Sequence, residues 1–531
     1  MTTAAEPHRD THRIPPDVYN RRWLILAILN LSLVTIVIAV SSLNVAIPTI
    51  QRDLGASGTE LQWIVDAYAL VFAGLLLPAG ALGDRFGRKG ALEIGLFIFG
   101  GAALAASQAT DPGQLIGLRT MMGVGAALIM PATLSIILNS FPMHERGKAI
   151  AIWAAFAGVG GALGPITSGL LLQHFWWGSV FMVSLPIVGT LLVLTAIFVP
   201  TSRDPGRTAL DPIGSALSVI ALVGLVFAVI EGPELGWTAP ATVAGFVAFV
   251  IAGFGWARYE LAIKNPMLDP RLFRVRAFST GSGAVTTIFL CTFGMFFLLT
   301  QFFQFVQGYT PLQAGVRQLP YALTLVIVAP RGPKIVTRFG VRRVVRFGFW
   351  IGAAAFLLLG TLQVDTQYWV ILVCLVPIAM GSAVIMPASS QLIVGSVPLS
   401  KSGVGSAVND VTREVGAALG IAALGSIMAS RFHSLMEGPT AALPHDVQDV
   451  AKESIGQALA VAQRIGGDAG ADLASSAQHA FTDGIGLAFL VAAGIMAIAG
   501  YLYGRLMPNS LPNRIISSNF ESSDALELDA S

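Results

Sequence analysis

Charge is scarce in this chain. Of its 531 residues only 12% are Asp, Glu, Lys or Arg, while 54% are hydrophobic and the mean hydropathy is +0.71. Soluble globules carry about a quarter charged residues, so that class is excluded and an integral membrane protein is expected. Cysteine is scarcer still. Cys291 and Cys374 both lie inside apolar runs, which leaves neither a disulfide framework nor a CxxC metal or redox site. His433, His445 and His479 lack the spacing of metal ligands, and no Ser/His/Asp set gathers near one membrane face. An enzyme, a metal and a cofactor are therefore not expected. The net charge of +2 and the want of a basic, aromatic-interleaved patch argue against a nucleic-acid partner.

Long apolar runs are abundant instead. Segments near the length of about 20 residues that crosses a bilayer recur fourteen times, at 23–48, 60–82, 90–109, 114–139, 148–172, 179–200, 212–231, 239–260, 279–307, 312–330, 344–362, 368–390, 403–430 and 484–506. The first is too long for the apolar core of a signal peptide, so it is read as a retained span. Sorting the 32 Lys and Arg residues puts about 25 in the tails and alternate loops and about four in the opposite loops, which makes both termini cytoplasmic. The expected location is the cell (inner) membrane.

One charged turn recurs. Gly80, Gly83, Asp84, Arg85, Gly87, Arg88 and Lys89 stand between the second and third runs, and an echo with Arg331, Lys334, Arg338, Gly340, Arg342 and Arg343 follows about 250 residues later. A repeated hinge within repeated hydropathy implies two homologous helical halves. The first turn resembles the signature loop of the major facilitator superfamily. That resemblance implies an all-α membrane fold of two six-helix halves with two extra central spans, fourteen transmembrane helices in all. The divisions are then an amino tail 1–22, an N-terminal half 23–200, the extra pair with its loops 201–278, a C-terminal half 279–506 with an external loop 431–483, and a carboxyl tail 507–531. The extra pair carries no strong charge within its spans except Glu231 near one end, so it reads as a peripheral spacer. The loop with Arg271, Arg274 and Arg276 suits anionic lipid headgroups. The external loop suggests one short surface helix over 446–455, and the acidic carboxyl tail suggests disorder.

The candidate site residues lie along the spans. Asn44, in the stretch from Ser41 to Pro48, resembles the first-helix motif of the fourteen-span drug:proton antiporters, except that Ala39 stands where that family often has an aspartate. Asn44 contacts substrate or bridges helices. Trp63 and Asp66 are three residues apart on one helix face, with Tyr68 nearby. A ring beside a carboxylate suits a lipophilic cation; the alternative is a shallow, hydrated Asp66. Arg119 resembles the fourth-helix arginine of the superfamily, which implies a part in proton transfer by tuning a carboxylate, or else a structural ion pair. Gly160, Gly164 and Ser168 form one small-residue stripe, and Ala157, Gly161, Pro165 and Gly169 the adjoining one. With the preceding motifs in order, this is similar to the antiporter motif of exporters. Gln301, Gln304 and Gln307 form a polar stripe in the second half, with Gln304 a candidate for substrate contact.

Asn409, Asp410, Arg413 and Glu414 lie within one apolar helix, which is costly unless they pair or reach water. Two carboxylates one turn apart cannot both ionise cheaply, and an intervening arginine holds one of them charged. Asp410 is expected to exchange the proton, with Glu414 as its structural partner. Gly80, Asp84, Arg85, Gly87 and Arg88, with Arg338 and Gly340, are expected to form a cytoplasmic gate. The resemblance implies a monomeric antiporter exporting lipophilic, cationic drugs or toxic compounds, using small molecules, protons and lipids as partners. An exporter of an endogenous lipid, siderophore or self-made antibiotic remains open, as does a non-transporting membrane sensor.

Overall fold

The computed structural model describes residues 14–202, 211–263, 266, 268–397 and 402–509; the side chains of some helical residues, Asp84, Ala157, Gly158, Asp446 and 402–407 among them, are outside that description. The acidic carboxyl tail and Lys264 also lie outside the described residues. Among those described, every regular element is helical. The N-terminal half comprises α1 (Pro16–Leu54), α2 (Gly58–Phe86), α3 (Arg88–Ala106), α4 (Pro112–Ser140), α5 (Met143–His174), α6 (Ser179–Met182) and α7 (Ser184–Phe198). The extra pair is α8 (Pro212–Leu235) and α9 (Pro240–Ala262). The C-terminal half comprises α10 (Arg276–Gln301), α11 (Pro311–Val328), α12 (Gly332–Phe339), α13 (Val341–Leu359), α14 (Tyr368–Gly395), α15 (Ser402–Thr440), α16 (His445–Glu453), α17 (Ile455–Ile465) and α18 (Gly467–Leu506).

Local chemistry fixes several boundaries. Ser57 and Glu60 close a reciprocal capping box at the start of α2, with bonds of 3.1 and 2.9 Å, and Thr310 and Gln313 do the same for α11. Prolines occupy the first turn of α4, α8, α9 and α11, where no amide hydrogen is needed. Among the described residues, twelve helical stretches are long and apolar enough to cross a membrane, α6 and α7 together making one. α5 and α13 are not among them: α13 opens with Arg342, Arg343 and Arg346, and part of α5 falls outside the described side chains.

Packing repeats between the halves. α1 lies on α5 as α10 lies on α15; α2 and α3 lie on α4 as α11 and α13 lie on α14; α3 meets α7 as α13 meets α18. The halves meet through α2 with α15 and α5 with α11, the same pairing reversed. The recurring turn repeats too. Gly87, at φ 124°, and Gly340, at φ 80°, separate α2 from α3 and α12 from α13, in backbone conformations that side-chain-bearing residues avoid.

Two expectations need correction. The extra pair is not wholly peripheral. α9 is largely exposed, but α8 packs against both α2 and α15, with Val219 against Gly74 and Ser426 Oγ donating to the Val229 carbonyl at 2.8 Å. The apolar surface that suggested a lipid-facing spacer is used for helix packing at the seam between halves. The segment 431–483 is more than one surface helix. α15 and α18 run on beyond the apolar zone, and α16 and α17 fold between them around buried Phe432, Met436, Ile455, Ala458 and Phe481. The resulting cap touches the other half: Gln457 Nε2 donates to the Gly55 carbonyl at 2.6 Å.

Three hydrogen bonds between described residues of the two halves share one end of the bundle, opposite the recurring turns. They are Gln304 Nε2 to the Val45 carbonyl at 2.9 Å, Ser426 Oγ to Gln62 Oε1 at 3.5 Å and the Gln457 contact. At the end bearing the turns, the side chains of Asp84, Arg146, Lys148 and 402–407 lie outside the described residues. The described hydrogen bonds therefore hold the halves together at the cap.

Candidate functional site

The charged groups that concern the candidate site lie on α2, α4, α8 and α15, and α2 faces two different neighbours. Ile64 and Tyr68, one turn apart, face α4: Arg119 Nε donates to the Ile64 carbonyl at 3.1 Å, and its guanidinium carbon lies 4.4 Å from the Tyr68 ring centroid. Gly123 makes this approach possible, since a Cβ there would fall 2.7 Å from the Tyr68 carbonyl oxygen. Arg119 is fully buried, yet both of its terminal nitrogens lack hydrogen-bond partners. Desolvating a cation costs several kcal/mol unless it is paired, so this guanidinium offers two forceful donors to an anionic group. Glu414 of α15 is within electrostatic reach of the adjoining Tyr68.

The other face of α2 carries Gln62, Trp63 and Asp66. Gln62 meets Gly425 and Ser426 of α15. Trp63 Nε1 donates to Glu231 Oε1 of α8 at 2.9 Å, and its ring lies 6.3 Å from that of Phe227. Asp66 is fully buried and neither carboxylate oxygen has a hydrogen-bond partner. The shallow, hydrated placement is thereby ruled out. The structure also parts the three residues grouped in the sequence: Tyr68 turns towards Arg119, while Trp63 turns towards α8. Glu231 is the residue that spacing could not supply, because its link to Trp63 spans 168 positions; the signal for it was a lone acid in an otherwise neutral span.

On α15, Arg413 pairs with Asp410 at 3.6 Å and lies 5.1 Å from the Phe289 ring centroid. Asn409 Oδ1 accepts from Ser390 Oγ of α14 at 2.7 Å, which anchors the stretch. Glu414 is partly exposed and forms neither a hydrogen bond nor an ion pair with a described residue. Arg413 thus pairs with Asp410, the expected exchanger, while lying within electrostatic reach of Glu414 as well.

The two stripes of α5 bind different helices. Gly160 and Gly164 accept α1, where a Cβ at Gly164 would lie 2.9 Å from the Ser42 nitrogen. Pro165 and Gly169 face α11: the Pro165 carbonyl lies 2.6 Å from a Cβ placed at Gly315, and Leu312 crowds Gly169. Asn44 is partly buried. Gln301, Gln304 and Gln307 do not form one stripe, because a π-helical turn at Phe302–Val306 shifts the phase of the helix. Gln301 bonds within its own helix, Gln304 reaches α1 and Gln307 reaches the Thr366 carbonyl.

At the turns, the Arg88 amide donates to the Ser202 carbonyl at 3.1 Å and Lys89 Nζ to the Ala196 carbonyl at 2.6 Å. Arg342 Nε donates to the Met507 carbonyl at 2.6 Å. Each turn thus grips the last helix of its own half. Gly80 lies against Pro131 of α4. Arg85 and Arg338 lie over the neighbouring Phe86 and Phe339 rings, at 5.4 and 5.3 Å. The Asp84 side chain lies outside the described residues, as do the side chains of 402–407 that begin α15. Among the described residues no cluster of His, Cys, Asp and Glu is suited to a metal.

Comparison with known proteins gives concordant results. The family model of the Major Facilitator Superfamily matches residues 29–421. The chain is 36% identical to the multidrug efflux pump LfrA of Mycolicibacterium smegmatis, over 95% of this chain and 99% of that protein. It is 34% identical to the methyl viologen resistance protein SmvA of Salmonella typhimurium, over 87% and 93%. In fold it resembles the crystal structure of a bacterial homologue of the human lysosomal transporter Spinster, with a TM-score of 0.63 and 18% identity over 93% of this chain and 99% of that one.

Proposed function

The chain belongs to the Major Facilitator Superfamily, and on that premise we propose that it is a proton-coupled efflux transporter exporting lipophilic, chiefly cationic, drugs or toxic compounds by alternating access. The relatives named for multidrug efflux and methyl viologen resistance support this reading. The observation that carries the coupling is on α15: an Asp410–Arg413 pair with Glu414 one turn away, partly exposed and unpaired. Arg413 keeps Asp410 ionised, while Glu414 binds and releases the proton. Protonated Glu414 loses its attraction for the neighbouring Arg413 and for a cationic substrate, so its two states favour different faces. A tenfold proton gradient supplies about 1.4 kcal/mol per proton and 100 mV about 2.3 kcal/mol per charge, enough for useful export without a cofactor.

In this reading fourteen helices span the inner cell membrane, both termini and the recurring turns are cytoplasmic, and the cap is external. The protein works as a monomer on small molecules and protons, with lipids around it. Its cap-closed arrangement is then the form that loads from the cytoplasm. The test is a proteoliposome with an imposed pH gradient and a fluorescent cation. Glu414→Gln should keep substrate binding and passive exchange but lose gradient-driven accumulation at least tenfold, whereas undiminished driven accumulation would end the coupling proposal.

A further inference from the structure

Glu231 stands on the helix pair that a six-plus-six repeat does not require. It lies one turn from the end of α8 (Pro212–Leu235), where a carboxylate costs less than the roughly 2.5–3.5 kcal/mol that insertion scales assign to a helix centre. Among the described residues no cation offsets it; its one partner is the neutral Trp63 indole, at 2.9 Å. Phe227 is one turn earlier on α8, so its ring and the Glu231 carboxylate share a helix face, and that ring also meets Trp63. Two aromatic rings and a carboxylate from two helices thus converge.

The same place holds a second uncompensated acid. On α2, Gln62 contacts α15 and Trp63 contacts α8. At 100° per residue Asp66 falls between those two directions, towards the junction of α8 and α15. It is wholly buried and its oxygens lack partners. The Ser426–Val229 and Ser426–Gln62 bonds close the junction one helix turn from it. Arg119 is on the opposite side of α2, engaged with Ile64 and Tyr68.

From this we infer that Glu231, with Trp63 and Phe227, forms an accessory recognition site for a lipophilic monovalent cation at the α2–α8–α15 seam. The inference rests on the efflux reading for its role and adds a specificity-determining residue supplied by the extra pair. Ring faces attract a cation through their quadrupoles, most strongly where water is excluded, and the carboxylate adds charge without displacing the indole bond. Neutral compounds gain only the apolar wall. The acid on the extra pair therefore discriminates by charge, and the partial exposure of Glu231 gives a cation access to it.

Equilibrium binding of tetraphenylphosphonium to the full chain in lipid nanodiscs tests the site directly. Glu231→Gln preserves an acceptor for Trp63 and removes the charge, so affinity should fall about tenfold; Glu231→Asp should recover part of it. Efflux of a neutral fluorescent substrate from proteoliposomes should change less than twofold in both variants. Unaltered cation affinity in Glu231→Gln, or equal loss of cationic and neutral transport, would make Glu231 a packing brace and overturn the assignment, as would failure of the parent chain to bind the cation. If the parent binds the cation but moves neither compound, the efflux reading fails while the site stands.

Discussion

At the residue scale, the glycines of α5 separate packing that matters from sequence that merely looks similar. Gly164 faces α1, and an added Cβ would meet the Ser42 backbone nitrogen at 2.9 Å as well as the Ser41 hydroxyl. The hydroxyl can rotate but the backbone cannot, so the helices must part. Gly161, three positions earlier, has nothing within 4 Å of its added Cβ. Overpacking typically costs about 1–3 kcal/mol. Gly164→Ala should therefore lower the thermal unfolding midpoint in detergent by several degrees while Gly161→Ala leaves it within a degree; equal midpoints would refute the close α1–α5 contact. Sequence spacing placed both stripes correctly on a helix, because a 3.6-residue period needs only the chain itself. Which stripe meets which neighbour was not legible. Nor was the partner of Trp63, since Asp66 at three residues' separation looked sufficient and Glu231 lies on another helix.

At the element scale, α10 carries a device that simple periodicity misreads. Three glutamines at intervals of three would share a face in an undisturbed helix, but the π-helical turn at Phe302–Val306 redirects them, as such insertions often do at working sites. Gln304 thereby becomes a bridge between halves at the cap end. A hydrogen bond of this kind contributes about 0.5–1.5 kcal/mol net, or roughly a two- to twelvefold bias between two states. Gln304→Ala should therefore enrich the cap-open form by that factor. Spin labels at Asp53 on α1 and Val450 on α16, both exposed, would report it as growth of a longer-distance population; an unchanged distribution would make the bond incidental. The extra pair gives the same lesson. Composition identified α8 and α9 as an insertion, but an apolar helix reads alike whether lipid or protein covers it, and only the fold puts α8 at the seam.

At the scale of the whole molecule, the repeated charged turn and repeated runs were enough to reveal two halves, because each repeat encodes its own packing. The state of the assembly was not encoded in that way. It depends on a few contacts between residues hundreds of positions apart, and here these gather beneath the cap. If alternating access operates, those contacts must separate once per cycle. Gly58 at the start of α2 and Ser454 between α16 and α17 offer a way to forbid this. A Cβ at Gly58 would lie 4.0 Å from that of Ser454, within the range of about 3.5–4.5 Å spanned by disulfides. The native thiols, Cys291 and Cys374, are buried and should not compete. Under mild oxidation, the Gly58→Cys, Ser454→Cys double variant should cross-link, lose more than nine-tenths of its efflux and regain it with dithiothreitol, while either single variant is indifferent to oxidant. Cation binding from the turn-bearing side should survive cross-linking, because the cross-link holds only the cap end. Full transport by a chain shown by mass spectrometry to be cross-linked would mean that the cap need not part from α2, and opening would then have to occur elsewhere along the seam.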